Sequence, residues 1–151
     1  MGESEMNGPF SVRRTVTWGD CDPAGIIYTP RVLDHAVAAV EVWYREVLQA
    51  PWFDLNWRRH MGAPFVRAEC DFIRAPACDD EMLVEVRVNR IGRSSATYVV
   101  VGTDDEGRHY FRATLVACFI ARPDFRSAPI PDDIRQRMTA YQAACGDAPE
   151  D

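Results

Sequence analysis

Trp18-Gly19-Asp20-Cys21-Asp22-Pro23-Ala24-Gly25-Ile26-Ile27-Tyr28-Thr29-Pro30 separates an alternating, strand-like run from a long apolar-periodic helix, and its reading decides the fold. Two carboxylates, Asp20 and Asp22, lie among residues that restrict the backbone. Pro23 fixes its own φ and disfavours the helical region for Asp22, which is therefore extended. Gly25 permits a positive φ or the close approach of another group. Asp22 is thus held on a rigid turn just before a helix start, where free N–H groups and the helix dipole favour developing negative charge. Acyl transfer needs such a pair: a carboxylate to attack or to activate water, and a donor aimed at the forming oxyanion. Asp is also an ordinary turn and capping residue, and local chemistry alone leaves both readings open.

Upstream, Phe10, Val12, Val16 and Trp18 alternate with Ser11, Arg13, Thr15 and Thr17, which predicts a strand with one buried face. Arg14 is the exception on the apolar side. Downstream, a helix is expected from about Pro30 to Gln49. Its stripe is Leu33, Ala36, Val37, Val40, Trp43, Tyr44, Val47 and Leu48, and Pro51 stops it. Strands follow at Phe65–Arg74, Met82–Ile91, Ser95–Thr103 and His109–Ala121. Ala75–Asp80 forms one turn and Asp104-Asp105-Glu106-Gly107 another. A short last helix is read around Ile134, Met138 and Tyr141, with Asp132 as its cap. The long helix can bury its stripe only on the concave face of the sheet these strands form. The fold class is therefore α+β, a curved antiparallel sheet wrapped around one long central helix.

The chain has 151 residues, 47% of them hydrophobic and 26% charged, as expected of one globular domain. We read residues 10–145 as that domain, 1–9 as a flexible segment and 146–151 as a tail. No apolar run approaches the ~18 residues of a membrane span, and the polar, acidic start is no signal peptide, so the expected location is cytoplasmic. A net charge of −6 disfavours nucleic-acid binding. Cys21, Cys70, Cys78, Cys118 and Cys145 are odd in number and lack a Cys-x-x-Cys pair, and His35, His60 and His109 are scattered. Neither a disulfide framework nor a metal site is expected. Carboxylates on both sides of Cys21 would raise its pKa, the wrong direction for a thiolate nucleophile.

Gly19-Asp20-Cys21-Asp22-Pro23-Ala24-Gly25-Ile26-Ile27-Tyr28 resembles the signature of the 4-hydroxybenzoyl-CoA thioesterase family almost without a break. Weaker similarity continues through Gly62-Ala63-Pro64 and Arg93-Ser94-Ser95 to Ile130-Pro131-Asp132. The resemblance implies a hotdog fold and hydrolysis of an acyl-CoA, favouring an aromatic acyl group such as 4-hydroxybenzoyl or benzoyl. It makes Asp22 the catalytic carboxylate, as nucleophile or general base, with Asp20 supporting the turn. The carbonyl would be polarised by a backbone amide near Thr29, since Pro30 has no N–H. Gly25 would meet the substrate. Tyr28 would line the acyl pocket, or else pack as core or hydrophobic staple.

For coenzyme A, the Arg90-Ile91-Gly92-Arg93-Ser94-Ser95 corner matches the family's nucleotide-contacting region, with Arg90, Arg93 and Ser94 as binding residues. A solvated hairpin corner is the alternative, and Arg74 and Arg122 are weaker candidates. Trp52, Phe53 and Trp57 would close over an aromatic group or pack between subunits. The resemblance further implies a homodimer or homotetramer, no cofactor, and a site completed by a second chain. Two related groups fit less well: one carries histidine where Thr29 stands, and the other needs a His-Gly-Gly turn before a helical glutamate, leaving Glu41 and Glu46 as surface charges. A hotdog dehydratase would need a histidine paired with a carboxylate, for which His35 lacks a nearby motif. A short-chain or acyl-carrier-protein thioesterase, or a hotdog protein that binds acyl-CoA without turnover, are the alternative functions.

Overall fold

A computed structural model describes residues 8–146. In chain order the elements are β1 (Ser11–Thr15), α1 (Thr29–Glu46), α2 (Trp52–Trp57), β2 (Met61–Gly62), β3 (Phe65–Phe72), β4 (Glu81–Ile91), β5 (Ser95–Thr103), β6 (His109–Cys118), β7 (Ile120–Ala121), β8 (Arg126–Ser127) and α3 (Asp132–Cys145). The main sheet is antiparallel, in the order β1-β4-β5-β6-β3, and β2, β7 and β8 form a small second sheet. Register shifts at Phe65/Arg67, Val88/Arg90 and Gly102/Thr103 bend the main sheet. Most of the segment expected to be flexible and of the tail lies outside the described residues.

The inward positions are those of the period-2 pattern: Met82, Val84, Val86 and Val88 on β4, Ala96, Tyr98 and Val100 on β5, Phe111, Ala113, Leu115 and Ala117 on β6. Helix α1 lies on this face. It buries Val32, His35, Ala36, Ala39, Val40, Trp43 and Tyr44. The stripe is therefore turned slightly from the expected one, with Leu33, Val37 and Val47 half-buried on its flank. Trp43 is fully buried and packs its ring against Tyr44, Tyr98 and Tyr141 at 5.3–5.5 Å. The expected sheet around a central helix is what forms.

Two local expectations need correction. Strand β1 ends at Thr15, and Trp18 sits 81% exposed in a 3₁₀ turn, Trp18–Asp20, because Thr17 and Asp20 bond each other and break the alternation. Helix α3 has 14 residues rather than being short, and Pro131 occupies its N-cap, leaving Asp132 as the first helical residue. Arg14 lies on the inward side of β1, as its place in the alternation predicts, and is half-buried there.

Candidate active site

The loop between β1 and α1 is built from its own backbone. Asp22 N–H donates to Ile26 O at 3.1 Å, Gly25 N–H donates to Asp22 O at 3.0 Å, and Ala24 N–H donates to Asp22 Oδ1 at 2.9 Å. Gly25 takes a φ of +78° that a side chain would resist, and the space where its Cβ would stand is open. Ile27 N–H donates to Pro76 O, and Val16 exchanges backbone bonds with Asp79 and Asp80, which pins the loop to the turn before β4. Asp22 ends up half-buried, lining an open depression with Trp18, Cys21, Pro23 and Gly25.

Helix α1 begins at Thr29, so the first amides of the helix face this loop. Tyr28 N–H is already spent on Asp20 O at 2.7 Å, Pro30 has no N–H, and Arg31 N–H turns back to Tyr28 O. Among the described residues, the Thr29 N–H is the first amide of the helix start not committed in this way. Tyr28 stands 54% exposed at the N-cap, so it is neither core nor staple.

Asp20 supports the turn from below. Its Oδ2 accepts Thr17 N–H at 2.9 Å, the Thr17 hydroxyl at 3.0 Å and His35 Nε2 at 3.1 Å. Burial raises the Asp20 carboxyl, but the Thr17 amide, His35 and the Thr17 hydroxyl outweigh it and hold the carboxyl below its ordinary range. Behind His35, Arg14 Nε donates to Nδ1 at 3.2 Å. Neither Arg14 nor His35 was expected to contribute. The signal was present, however: each is a polar residue on the buried side of an otherwise apolar element, and two such misfits on neighbouring elements pair. Burial pushes the Cys21 thiol up, with Cys78 and the two aspartates acting in the same direction.

The corner of residues 90–95 is not beside Asp22 within one chain. Asp22 adjoins the Asp80 end of β4, whereas Arg90, Arg93 and Ser94 lie at its far end. Eleven residues of strand separate these ends by about 35 Å. The corner itself is well anchored: Arg135 donates to Gly92 O and Arg93 O, Ile130 N–H donates to Arg93 O, and Phe119 N–H donates to Ser94 O. The Arg93 side chain is exposed. Arg74 is committed elsewhere, bonded to Asp104 at 2.7 Å and stacked on Tyr110 at 4.0 Å.

At the same far end is an apolar cavity of about 410 Å³, lined by Val37, Trp52, Asn56, Gly62–Phe65, Ile120, Arg122 and Phe125. The Trp52 indole N–H is buried without an acceptor among the described residues. The Arg122 guanidinium lies 5.7 Å from the Trp57 ring and 6.0 Å from the Phe125 ring. A second cavity, of about 230 Å³, joins Ile26, Thr29 and Val32 to Phe72 and Ile73 at the end of β3. Strand β3 is an edge of the sheet, mostly exposed, and shows Val66 and Phe72 to solvent. Among the described residues no group of three or more His, Cys, Asp or Glu could hold a metal ion, and no helix is long and apolar enough to cross a membrane. Glu41 and Glu46 are exposed on α1.

The sequence profile of the thioesterase-like superfamily matches residues 16–138. A thioesterase superfamily protein from Jannaschia sp. CCS1 is 31% identical, with 93% of this chain and 97% of that one superposed at a TM-score of 0.82. A thioesterase from Thermus thermophilus, solved with coenzyme A and zinc, is 27% identical over 91% of this chain and 98% of its own, at a TM-score of 0.75. A 4-hydroxybenzoyl-CoA thioesterase from Pseudomonas sp. (strain CBS-3) is 27% identical over 91 residues, 60% of this chain. The match spans 64% of the length of that curated relative.

Proposed function

The chain belongs to the thioesterase-like superfamily and has its hotdog fold, and from that premise we propose that it hydrolyses an aromatic acyl-CoA to the free acid and CoA. What supports this reading is that the half-buried Asp22 and the Thr29 that opens α1 belong to one loop, closed on itself by Asp22 N–H to Ile26 O and Tyr28 N–H to Asp20 O. The thioester carbonyl oxygen accepts from Thr29, and the helix N-terminus stabilises the oxyanion as it forms. Asp22 then either attacks the carbonyl carbon, expelling the CoA thiolate and leaving an anhydride that water hydrolyses, or takes the proton of an attacking water. Gly25 presents an open surface that lets the thioester approach the loop backbone. No cofactor enters either route.

The remaining parts come from a second copy. Strand β3 leaves an eight-residue edge with exposed apolar side chains, a surface that stable proteins cover. Its Phe72 end adjoins the Asp22 loop, and its Phe65 end adjoins the large cavity. Antiparallel pairing of β3 with the β3 of a second copy about a two-fold axis exchanges these ends. Each site then takes Asp22, Thr29 and Tyr28 from one protomer, and the cavity with the Arg90, Arg93 and Ser94 corner from its partner. The cavity suits a ring: it is apolar and lined by Trp52, Phe65 and Phe125. Residues 10–145 act as one domain in this arrangement. The test is free-thiol release from benzoyl-, 4-hydroxybenzoyl-, acetyl-, hexanoyl- and palmitoyl-CoA. Turnover confined to the aryl esters is expected; faster turnover of the straight chains would discard the aromatic reading.

A further inference from the structure

His35 is a buried polar residue that the chemistry above does not use; it is 4% exposed and sits on α1 one to two turns beyond Thr29. Its ring lies between Arg14 Nε, 3.2 Å from Nδ1, and Asp20 Oδ2, 3.1 Å from Nε2. Arginine can only donate, so Nδ1 must accept, and the ring proton resides on Nε2 and is donated to Asp20. Asp20 in turn is the knot of the catalytic loop. Its carboxylate holds Thr17 through two bonds, its carbonyl holds Tyr28 N–H at 2.7 Å, and Asp22 follows two residues later. The bond to Asp20 O also commits Tyr28 N–H and leaves Thr29 N–H as the next amide at the helix start.

We propose that His35, with its tautomer set by Arg14, is a positioning residue that fixes the distance between the Asp22 carboxylate and the Thr29 amide through Asp20. The proposal rests on Asp22 being the catalytic carboxylate. It assigns to the Arg14–His35–Asp20 line a role in turnover rather than in folding alone. The bonds run from strand to helix to loop, so the line couples the loop to the helix that carries the oxyanion donor.

Two polar replacements of similar size separate the roles. His35→Gln keeps an amide N–H where Nε2 stood, able to reach Asp20. His35→Asn keeps an acceptor near the Nδ1 position but cannot reach Asp20. We expect His35→Gln to retain kcat within about threefold, and His35→Asn to lose about ten- to a hundredfold, as a misplacement near 1 Å does. KM for the acyl-CoA should move less than about threefold in both, because the CoA corner and the cavity are untouched. Melting temperatures of both variants are measured alongside. Equal kcat in the two variants, or losses that follow melting temperature, or a loss expressed in KM, would overturn the proposal. Asp22→Asn is assayed in the same series. If it retains full turnover, the reading of Asp22 falls and takes this inference with it. If it is inactive while Gln and Asn behave alike, only the role of His35 falls.

Discussion

A site shared between two chains makes a prediction that a site within one chain cannot. Asp22 lies at one end of β4 and the Arg93 corner at the other, about 35 Å apart for an eleven-residue strand. With the reacting carbonyl within ~3.5 Å of Asp22, the nucleotide of the same acyl-CoA falls short of the Arg93 corner of that protomer, and the proposed site takes its two halves from different protomers. Asp22→Asn removes the chemistry from one half. Ala63→Phe puts a phenyl ring into the cavity of about 410 Å³ and blocks the other. Each variant alone should be nearly inactive. When the two are co-expressed with different tags in equal amounts, half of the dimers are mixed, and each mixed dimer has one site free of both lesions. Pooled activity should therefore recover to roughly a quarter of wild type. The assay is thiol release from the aryl-CoA, with the mixed species isolated by tandem affinity. Mixed dimers that form but stay as inactive as the parents would refute the shared site, since both lesions would then leave every site damaged.

Further outcomes follow from the same geometry. Arg93→Ala should raise KM for CoA esters several-fold and leave hydrolysis of a short N-acetylcysteamine thioester unchanged; an equal effect on both would remove Arg93 from the CoA site. Cys21→Ala should keep kcat within about threefold, because the thiol is pushed away from the thiolate form, and a far larger loss would reinstate it as a reacting group. Trp43→Ala should cost about 3–5 kcal/mol in denaturant unfolding, as a fully buried ring contacting three other rings is removed. A cost below about 1 kcal/mol would contradict the packing described. Asp20 is held below its ordinary range in the folded chain, so its contribution is present above the unfolded value near 3.9 and lost as pH falls through the folded value. The melting-temperature deficit of Asp20→Asn should accordingly be full at pH 7 and shrink below about pH 4; a deficit that grew on acidification would contradict the assignment.

The fold was legible because α1 and the strands obey their periods. Trp43, Tyr44, Met82, Val84, Val86, Tyr98, Val100 and Leu115 are all buried where alternation or helical spacing puts them. The path of the β1–α1 loop was legible because Pro23 and Gly25 leave few backbone paths, and the φ of Gly25 is the positive one it permits. Trp18 was misread because the Asp20 carboxylate accepts both the N–H and the hydroxyl of Thr17 and ends the strand early, a local competition that alternation does not register. The cavity was not legible, since Val37, Asn56, Ile120 and Phe125 meet only when β7 and β8 return beside β2. His35 and Arg14 lay between these cases: each is visible as a misfit, but only the packing of β1 on α1 shows that they satisfy one another.

The most direct test of the account is the kcat of wild type and Asp22→Asn on 4-hydroxybenzoyl-CoA and benzoyl-CoA. The asparagine Oδ1 can still accept Ala24 N–H, so the loop and binding persist while the base or nucleophile is lost. The account predicts turnover by the wild type and a fall of about 10²–10⁴ in the variant, with KM and melting temperature little changed. Wild-type turnover that survives in Asp22→Asn within tenfold would contradict it.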